Sequence, residues 1–336
     1  MNRKLGGVEQ AFLDYYSALT LKGHDVVNIT SLFAKINNKK ISSLKLPNLF
    51  PWCILSKISL KLLILIYRPD LIIAHGGRAV NFAYGTGVKV IPIVSVRHSY
   101  STRHILKCNY IIAVDQLLKK HLISSGYPES RIFIVPNMIN TSSRQTNNFR
   151  QKKTEYVIGA LRRFVPEKGF NYLIEAISIL RDRKYPVKLL IGGAGPLEIQ
   201  PKKLTRELNI DKNVEFIGWV HDKENFFKSV EIFCIPSVFE TFGIVALEAM
   251  SYQVPIVATK TGGASQIFAA GSDALITNTA SNQGLANSIS YLIDNPLKAQ
   301  ELIDKAYSKV INYYDTSIVA DRLSETLKLI TQKGRF

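Results

Sequence analysis

The chain lacks several features that would direct a reading elsewhere. Its 336 residues hold only three cysteines, Cys53, Cys108 and Cys234, widely spaced and odd in number. None has a Cys-x-x-Cys partner, which argues against a disulfide framework, a zinc ribbon or a dithiol redox site. Reduced, buried thiols in a cytosolic protein are expected. No run of 18 apolar residues occurs, so no spanning helix is expected. Met1–Glu9 is polar and glycine-rich, without the apolar segment of a secretory signal. There is no Asp-x-Asp pair and no cluster of His, Cys and carboxylates at ligand spacing, so no metal is expected. Acidic residues are scarce in the first half. Residues 1–150 carry 20 Lys and Arg against 6 Asp and Glu, an excess of 14, whereas residues 151–336 carry 23 against 20. A basic half predicts an anionic partner such as a membrane surface or an anionic lipid or glycan. No aromatic-basic pattern or other nucleic-acid motif is visible, and nucleic acid is not expected.

What is present is a repeating alternation. With 46% hydrophobic and 21% charged residues, the composition is that of a globular protein long enough for two domains. Val8–Leu21 has helical spacing and Val26–Thr30 reads as a strand. Short apolar runs follow at Asp70–Ala74, Val90–Val96, Tyr110–Val114 and Ile132–Val135, with helical stretches near Val80 and over Gln116–Ser124. Thr141–Thr154 is polar and aperiodic, the best linker in the chain. Beyond it the alternation resumes with Tyr156–Ala160, a helix near Tyr172–Arg181 and Val187–Ile191. Strands alternating with helices predict an α/β fold of two doubly wound Rossmann-like domains facing a cleft, with ligands at the carboxyl ends of the strands. The expected boundaries are 1–145, 146–317 and a C-terminal helical segment 318–336 that crosses back to the first domain.

The most informative stretch is Ser237-Val-Phe-Glu-Thr-Phe-Gly-Ile-Val-Ala-Leu-Glu-Ala-Met250. An apolar strand precedes it and good helix formers close it. Phe242, Gly243 and Ile244 therefore fall at a strand-to-helix turn, where a helix start offers free amides and partial positive charge to a phosphate. Glu240 lies in the loop as a hydroxyl acceptor. Glu248 is expected about two turns into the helix, facing the same crevice. The pattern suits a sugar carried on a nucleotide; the plainer alternative is a surface glutamate beside a buried helix.

Glu240-x7-Glu248 resembles the signature of retaining glycosyltransferases of family 4 (glycosyl transferases group 1). Other landmarks of that family follow the same order. Arg163-Phe-Val-Pro-Glu-Lys168-Gly169 resembles its Arg-Leu-x-x-x-Lys-Gly loop, with Arg162 where a glycine is usual. Leu189–Pro196 resembles its strand and Gly-x-Gly-Pro turn; Pro196 and Pro201 are expected to interrupt the long helix of a dinucleotide fingerprint and leave a tight turn near the base or ribose. Val214–Gly218 and Val254–Ala258 followed by Gly262 and Gly263 complete a resemblance that covers about residues 155–330. Gln266 replaces a frequent glutamate. Gly6-Gly7-Val8-Glu9 resembles the family's N-terminal Gly-Gly-x-Glu turn, but only Met1–Leu5 precedes it, so the N-terminal sheet is expected to lack its first strand.

The resemblance implies a glycosyltransferase-B architecture and transfer, with retention, from a nucleotide-diphosphate sugar (UDP, GDP or ADP) to an acceptor hydroxyl. The acceptor would be a glycan or lipid-linked molecule in cell-surface polysaccharide, lipopolysaccharide or glycolipid synthesis. It implies catalytic roles for Glu240, His98, Arg163 and Lys168. It implies donor contacts from Glu248, Phe242, Gly243, Ile244, Gly262, Gly263 and Gly193, and acceptor contacts from Gly6, Gly7 and His75. Arg163 and Lys168 would neutralise the diphosphate in place of a metal, and no cofactor is implied. Arg97, Arg103 and His104 are candidates for an anionic acceptor on local charge alone. Leu49–Tyr67, with Trp52, Lys57 and Lys61, reads either as a helix lying in an anionic membrane interface or as a core helix with two snorkelling lysines. A peripheral position at the inner face of the cytoplasmic membrane is expected. Two alternatives stay open: a phosphorylase on the same architecture, for which no pyridoxal-phosphate lysine is identifiable, and a degenerate nucleotide-sugar binder or fragment.

Overall fold

The computed structural model describes residues 7–32, 42–47, 53–141 and 153–333. The chain divides into two compact units, one of residues 1–140 with 314–336 and the other of residues 141–313. Most of the linker Thr141–Thr154 lies outside the described residues.

In the first unit, α1 (Gly7–Leu21) buries Ala11, Tyr15, Ala18 and Leu19 on one face. β1 (Ile29–Ser31) starts later than its apolar run begins and pairs in parallel with a three-residue strand, β2 (Leu44–Leu46). Next come α2 (Ile54–Tyr67), β3 (Ile72–His75), α3 (Gly77–Tyr84) and β4 (Ile93–Arg97). β5 (Tyr110–Ala113), α4 (Gln116–Ser124) and β6 (Ile132–Ile134) complete the run. β3 to β6 form one parallel sheet in sequential order, separate from β1 and β2. Asp115 caps α4 by accepting from the Leu118 amide at 2.7 Å, satisfying a donor the helix cannot. The C-terminal helix Thr316–Lys333 packs in this unit. It places Val319, Leu323, Leu327 and Ile330 in one core with Tyr15, Ala18 and Leu19 of α1 and Val94 and Val96 of β4. A smaller core joins Leu46, Leu60, Ile64 and Phe82.

The second unit contains β7 (Tyr156–Leu161), α5 (Phe170–Asp182), β8 (Val187–Gly192), α6 (Ile199–Glu207) and β9 (Val214–Gly218). Then come α7 (Lys223–Lys228), β10 (Ile232–Ile235), α8 (Ile244–Ser251), β11 (Ile256–Thr259) and α9 (Gly262–Ile267). β12 (Leu275–Thr277), α10 (Asn282–Asp294) and α11 (Pro296–Tyr313) close it. All six strands are parallel, in the order β12-β11-β10-β7-β8-β9. β10 and β11 are buried along their whole length, which is why they read as unbroken apolar runs rather than alternating ones. The strand order reverses between β7 and β10. In a doubly wound sheet that point opens a crevice at the carboxyl ends of the two strands. Arg162 and Arg163 follow β7 directly, and the loop bearing Glu240 follows β10.

A short helix follows the Gly192–Pro196 turn. Pro201 is the third residue of α6, inside the first turn, where no backbone amide is needed for an intrahelical bond. The helix nevertheless has only nine residues.

Candidate active site

Two loops of the second unit are joined before any side chain is considered. The amides of Val238 and Phe239 donate to the Glu167 carbonyl at 2.9 and 3.3 Å. The Gly263 amide at the start of α9 donates to the Glu240 carbonyl at 2.9 Å. The Arg162–Gly169 segment, the Ser237–Gly243 loop and α9 are thereby held together. Gly193 adopts φ 147°, and a Cβ there would overlap the Arg162 carbonyl. Only glycine lets the β8 turn approach the β7 turn this closely.

The side chains converge on Glu240. Lys168 Nζ donates to Glu240 Oε2 at 2.9 Å, and Arg162 Nη1 donates to the same oxygen at 2.5 Å. The Glu240 side chain is 11% exposed and that of Arg162 7%. Burial pushes the Glu240 carboxyl up, and Arg162 and Lys168 more than reverse this, holding it below the usual range. Burial and then the charge of Arg162 lower the Lys168 ammonium, with Glu240 opposing them. Gly243 stands under this cluster with φ 87°, in the left-handed region that favours glycine. A Cβ on it would lie 3.2 Å from Glu240 Cγ and 3.5 Å from Arg162 Nη2. Gly243 caps α8, whose first amides have no partner within the helix. Phe242 is buried and Ile244 opens the helix.

Glu248 is the fifth residue of α8, a little over one turn in rather than two. It is buried. Its Oε1 accepts a short hydrogen bond from Lys223 Nζ at the start of α7, and its Oε2 is buried without a partner. Arg163 is exposed, and the cation touching Glu240 from the end of β7 is Arg162 instead. Arg162 and Lys223 were the residues missed. The arginine replacing a usual glycine was a signal for the first; nothing in the sequence pointed to the second.

In the first unit, His75 closes β3 and His98 follows β4. Their rings stack 12° apart with centroids at 5.8 Å. Tyr15 meets His75 edge-on at 4.9 Å and Phe12 at 5.6 Å. Burial, then the charge of His98, lowers His75 to about 3. Burial lowers His98 to about 4, with the Asn137 side chain working in the opposite direction. Both imidazoles are therefore neutral near pH 7. Both ring nitrogens of His98 are buried, with the Asn137 side chain as their polar neighbour. Gly7 begins α1, and Gly6 lies outside the described residues. Arg97 does not suit an exposed anion: it is buried, and its guanidinium donates to the carbonyls of Ser101 at 3.4 Å and Arg103 at 2.9 Å. A buried guanidinium is stabilised by such carbonyls, and here it ties the loop after β4.

The expected helix over Leu49–Tyr67 is α2; residues 48–52, with Trp52, lie outside the described residues. Leu60 and Ile64 enter the small core while Ile54, Leu55, Ile58, Leu62, Leu65 and Ile66 are exposed. It is therefore not simply a core helix. Among the described residues, no helix is long and apolar enough to cross a membrane.

Family models match both units of the chain. The family model for glycosyl transferases group 1 matches residues 142–309, and that for glycosyltransferase family 4 matches residues 5–143. The chain belongs to the glycosyl transferases group 1 family. Among relatives, the capsular polysaccharide biosynthesis glycosyltransferase CapM of Staphylococcus aureus is 26% identical over 235 residues, 63% of this chain and 60% of that protein. The lipopolysaccharide core biosynthesis glycosyltransferase LpsE of Rhizobium meliloti is 28% identical over 172 residues, 51% of this chain and 49% of that protein. The chain spans about half the length of the curated relatives it matches. Among solved structures, Anabaena HepE in complex with UDP-glucose superposes with a TM-score of 0.80 at 20% identity, covering 98% of this chain and 97% of that one. This likeness shows the glycosyltransferase-B fold of two Rossmann-like domains.

Proposed function

We propose that the chain is a retaining glycosyltransferase that moves a sugar from a nucleotide-diphosphate donor to an acceptor hydroxyl. The observation that carries this reading is the carboxylate of Glu240, held by two cations above the start of α8 at the switch point of the second unit. Glu240 orients the donor sugar through its hydroxyls. The partnerless Oε2 of Glu248 accepts from the ribose. Lys168 and Arg163, with the amides at the start of α8, neutralise the diphosphate as it leaves, in place of a metal. Phe242, Ile244, Gly262 and Gly263 shape the donor loop, and Gly193 the turn near the base. In the step itself, the acceptor oxygen bonds to the anomeric carbon as the bond from that carbon to the phosphate oxygen breaks. The leaving phosphate takes the acceptor's proton. His98 contributes a neutral hydrogen-bonding ring, and Gly7 and His75 belong to the acceptor side.

The names of CapM and LpsE support an acceptor in capsular polysaccharide or lipopolysaccharide synthesis, and UDP-glucose on HepE supports a nucleotide-sugar donor. We also infer peripheral contact with anionic membrane. It is supported by the exposed apolar face of α2, by Lys57 and Lys61 with no acidic residue on that helix, and by the basic excess of residues 1–150. A panel of UDP-, GDP- and ADP-sugars tests the donor reading by thermal shift and by slow donor hydrolysis. At least one donor should raise the melting temperature and release its nucleotide with excess chelator present. A panel with no shift and no hydrolysis refutes the reading. Hydrolysis abolished by chelator and restored by magnesium refutes metal independence.

A further inference from the structure

Arg162 is more than a partner of Glu240. Its side chain is 7% exposed, yet only one end of the guanidinium is used. Nη1 donates to Glu240, while Nε and Nη2 are buried and have no partner. These two nitrogens form one edge of the guanidinium, with parallel N–H bonds spaced to meet two oxygens of one carboxylate or phosphate. Leaving donors of a buried cation unmatched is costly, and such an edge is a specific anion receptor once filled. Its surroundings fit that use. Nη2 lies 3.5 Å from where a Gly243 Cβ would stand, so the free edge borders the start of α8. Two cations, Arg162 and Lys168, share one carboxylate, so the cluster carries a positive excess that another anion would balance.

We propose that the Nε–Nη2 edge of Arg162 binds a two-oxygen anionic group of the donor, making Arg162 a donor-binding residue. The inference rests on the donor-site reading above. The group is either a phosphate of the diphosphate or a carboxylate on the transferred sugar; the edge accepts both.

Titration calorimetry separates these sources. The probes are inorganic pyrophosphate, UDP, GDP, ADP, UDP-glucose and UDP-glucuronate, against wild type, Arg162→Lys and Arg162→Gly. Lysine keeps the charge and removes the two-pronged edge; glycine removes both. Near-native melting temperatures confirm that the variants fold. If the anion is a phosphate, both variants lose about ten- to a hundredfold in affinity for pyrophosphate and for the tightest nucleoside diphosphate. If it is a sugar carboxylate, pyrophosphate binding is unchanged and the preference for UDP-glucuronate over UDP-glucose falls by a similar factor. Variants within twofold of wild type on every probe overturn the inference and leave the donor site standing. Loss confined to UDP-glucose relative to UDP also overturns it, because that is the signature of a mere tether for Glu240. A wild-type chain that binds none of the probes removes the donor-site reading and this inference with it.

Discussion

Replacing Glu240 by glutamine keeps the shape of the side chain and removes its charge. The carboxylate is 11% exposed and both its cationic partners are largely buried. Removing one partner of a buried ion pair typically costs about 3–5 kcal/mol. In a unit of this size, 1 kcal/mol moves the melting temperature by about 2–4 °C, so Glu240→Gln should melt roughly 6–20 °C lower at pH 7. Part of this loss has an outlet. Burial and Arg162 already lower the Lys168 ammonium, and Glu240 is the main group opposing them. Without it, Lys168 sheds its proton more readily in the folded state than in the unfolded chain. Between those two values the unfolded state holds more protons, so stability rises with pH. The deficit against wild type should therefore be largest near pH 7 and narrow toward pH 9. Turnover should fall by about ten- to a hundredfold from the lost charged hydrogen bond to the donor. Differential scanning fluorimetry at both pH values and donor-hydrolysis kinetics measure all three effects. A variant within about 2 °C of wild type at pH 7, or a deficit that widens with pH, refutes the electrostatic account of the cluster.

Glu248→Ala should weaken nucleotide binding about tenfold or more with little effect on turnover at saturation, because it removes a ribose acceptor; unchanged nucleotide affinity by calorimetry rejects the assignment. Lys223→Ala should have a smaller effect than Glu248→Ala, since Lys223 is 40% exposed and exposed pairs contribute little; a larger effect would make the lysine the ligand contact. His75 and His98 stay neutral in the fold to about pH 3 and 4, while in the unfolded chain they take up protons below about pH 6.5. Melting of the first unit should thus lose about 1.4 kcal/mol per pH unit per histidine as pH falls through that window, and His98→Asn should flatten the slope; an unchanged slope counts against the buried pair. Vesicles with anionic lipid should co-sediment the protein at low salt and release it as salt rises, and Ile58→Ser with Leu62→Ser should reduce the binding; equal recovery on neutral vesicles rejects docking through α2.

The central strands β10 and β11 of the second unit could be read from sequence because they are buried on both faces. Ile232–Ile235 and Ile256–Thr259 are apolar or small throughout and fully buried, so each run announces a parallel strand without help from periodicity. The helix start at Gly243 was equally legible, since apolar strand, glycine turn and helix formers follow within a dozen residues. β2 was not, because three residues are too few for any pattern. Nor was the inner side of α2. Its sequence is apolar on nearly every face, so periodicity cannot say which side meets the core; contact with Leu46 and Phe82 decides it. The family landmarks located the loops, but the pairings inside them join residues far apart in sequence, as Arg162 and Glu240 do across 78 positions.

That pairing changes how the glutamate is understood. A carboxylate free in a loop would bind sugar hydroxyls at the cost of its own hydration alone. In this chain it already accepts from two cations on one oxygen, so a donor must enter a charged cluster rather than an open acceptor. A buried cluster with more positive than negative charge is destabilised by its own repulsion and by lost hydration. An entering anion relieves both, so part of its affinity is the strain of the empty site. Substrate binding and the stability of the second unit are then linked through the same three side chains. Weakening the cationic side should stabilise the empty unit while reducing its gain on binding nucleotide, whereas weakening Glu240 should destabilise the empty unit and enlarge that gain. Only a cluster arranged around an anion yet to arrive has these opposite signs; a salt bridge kept for the fold alone would lose stability on either change.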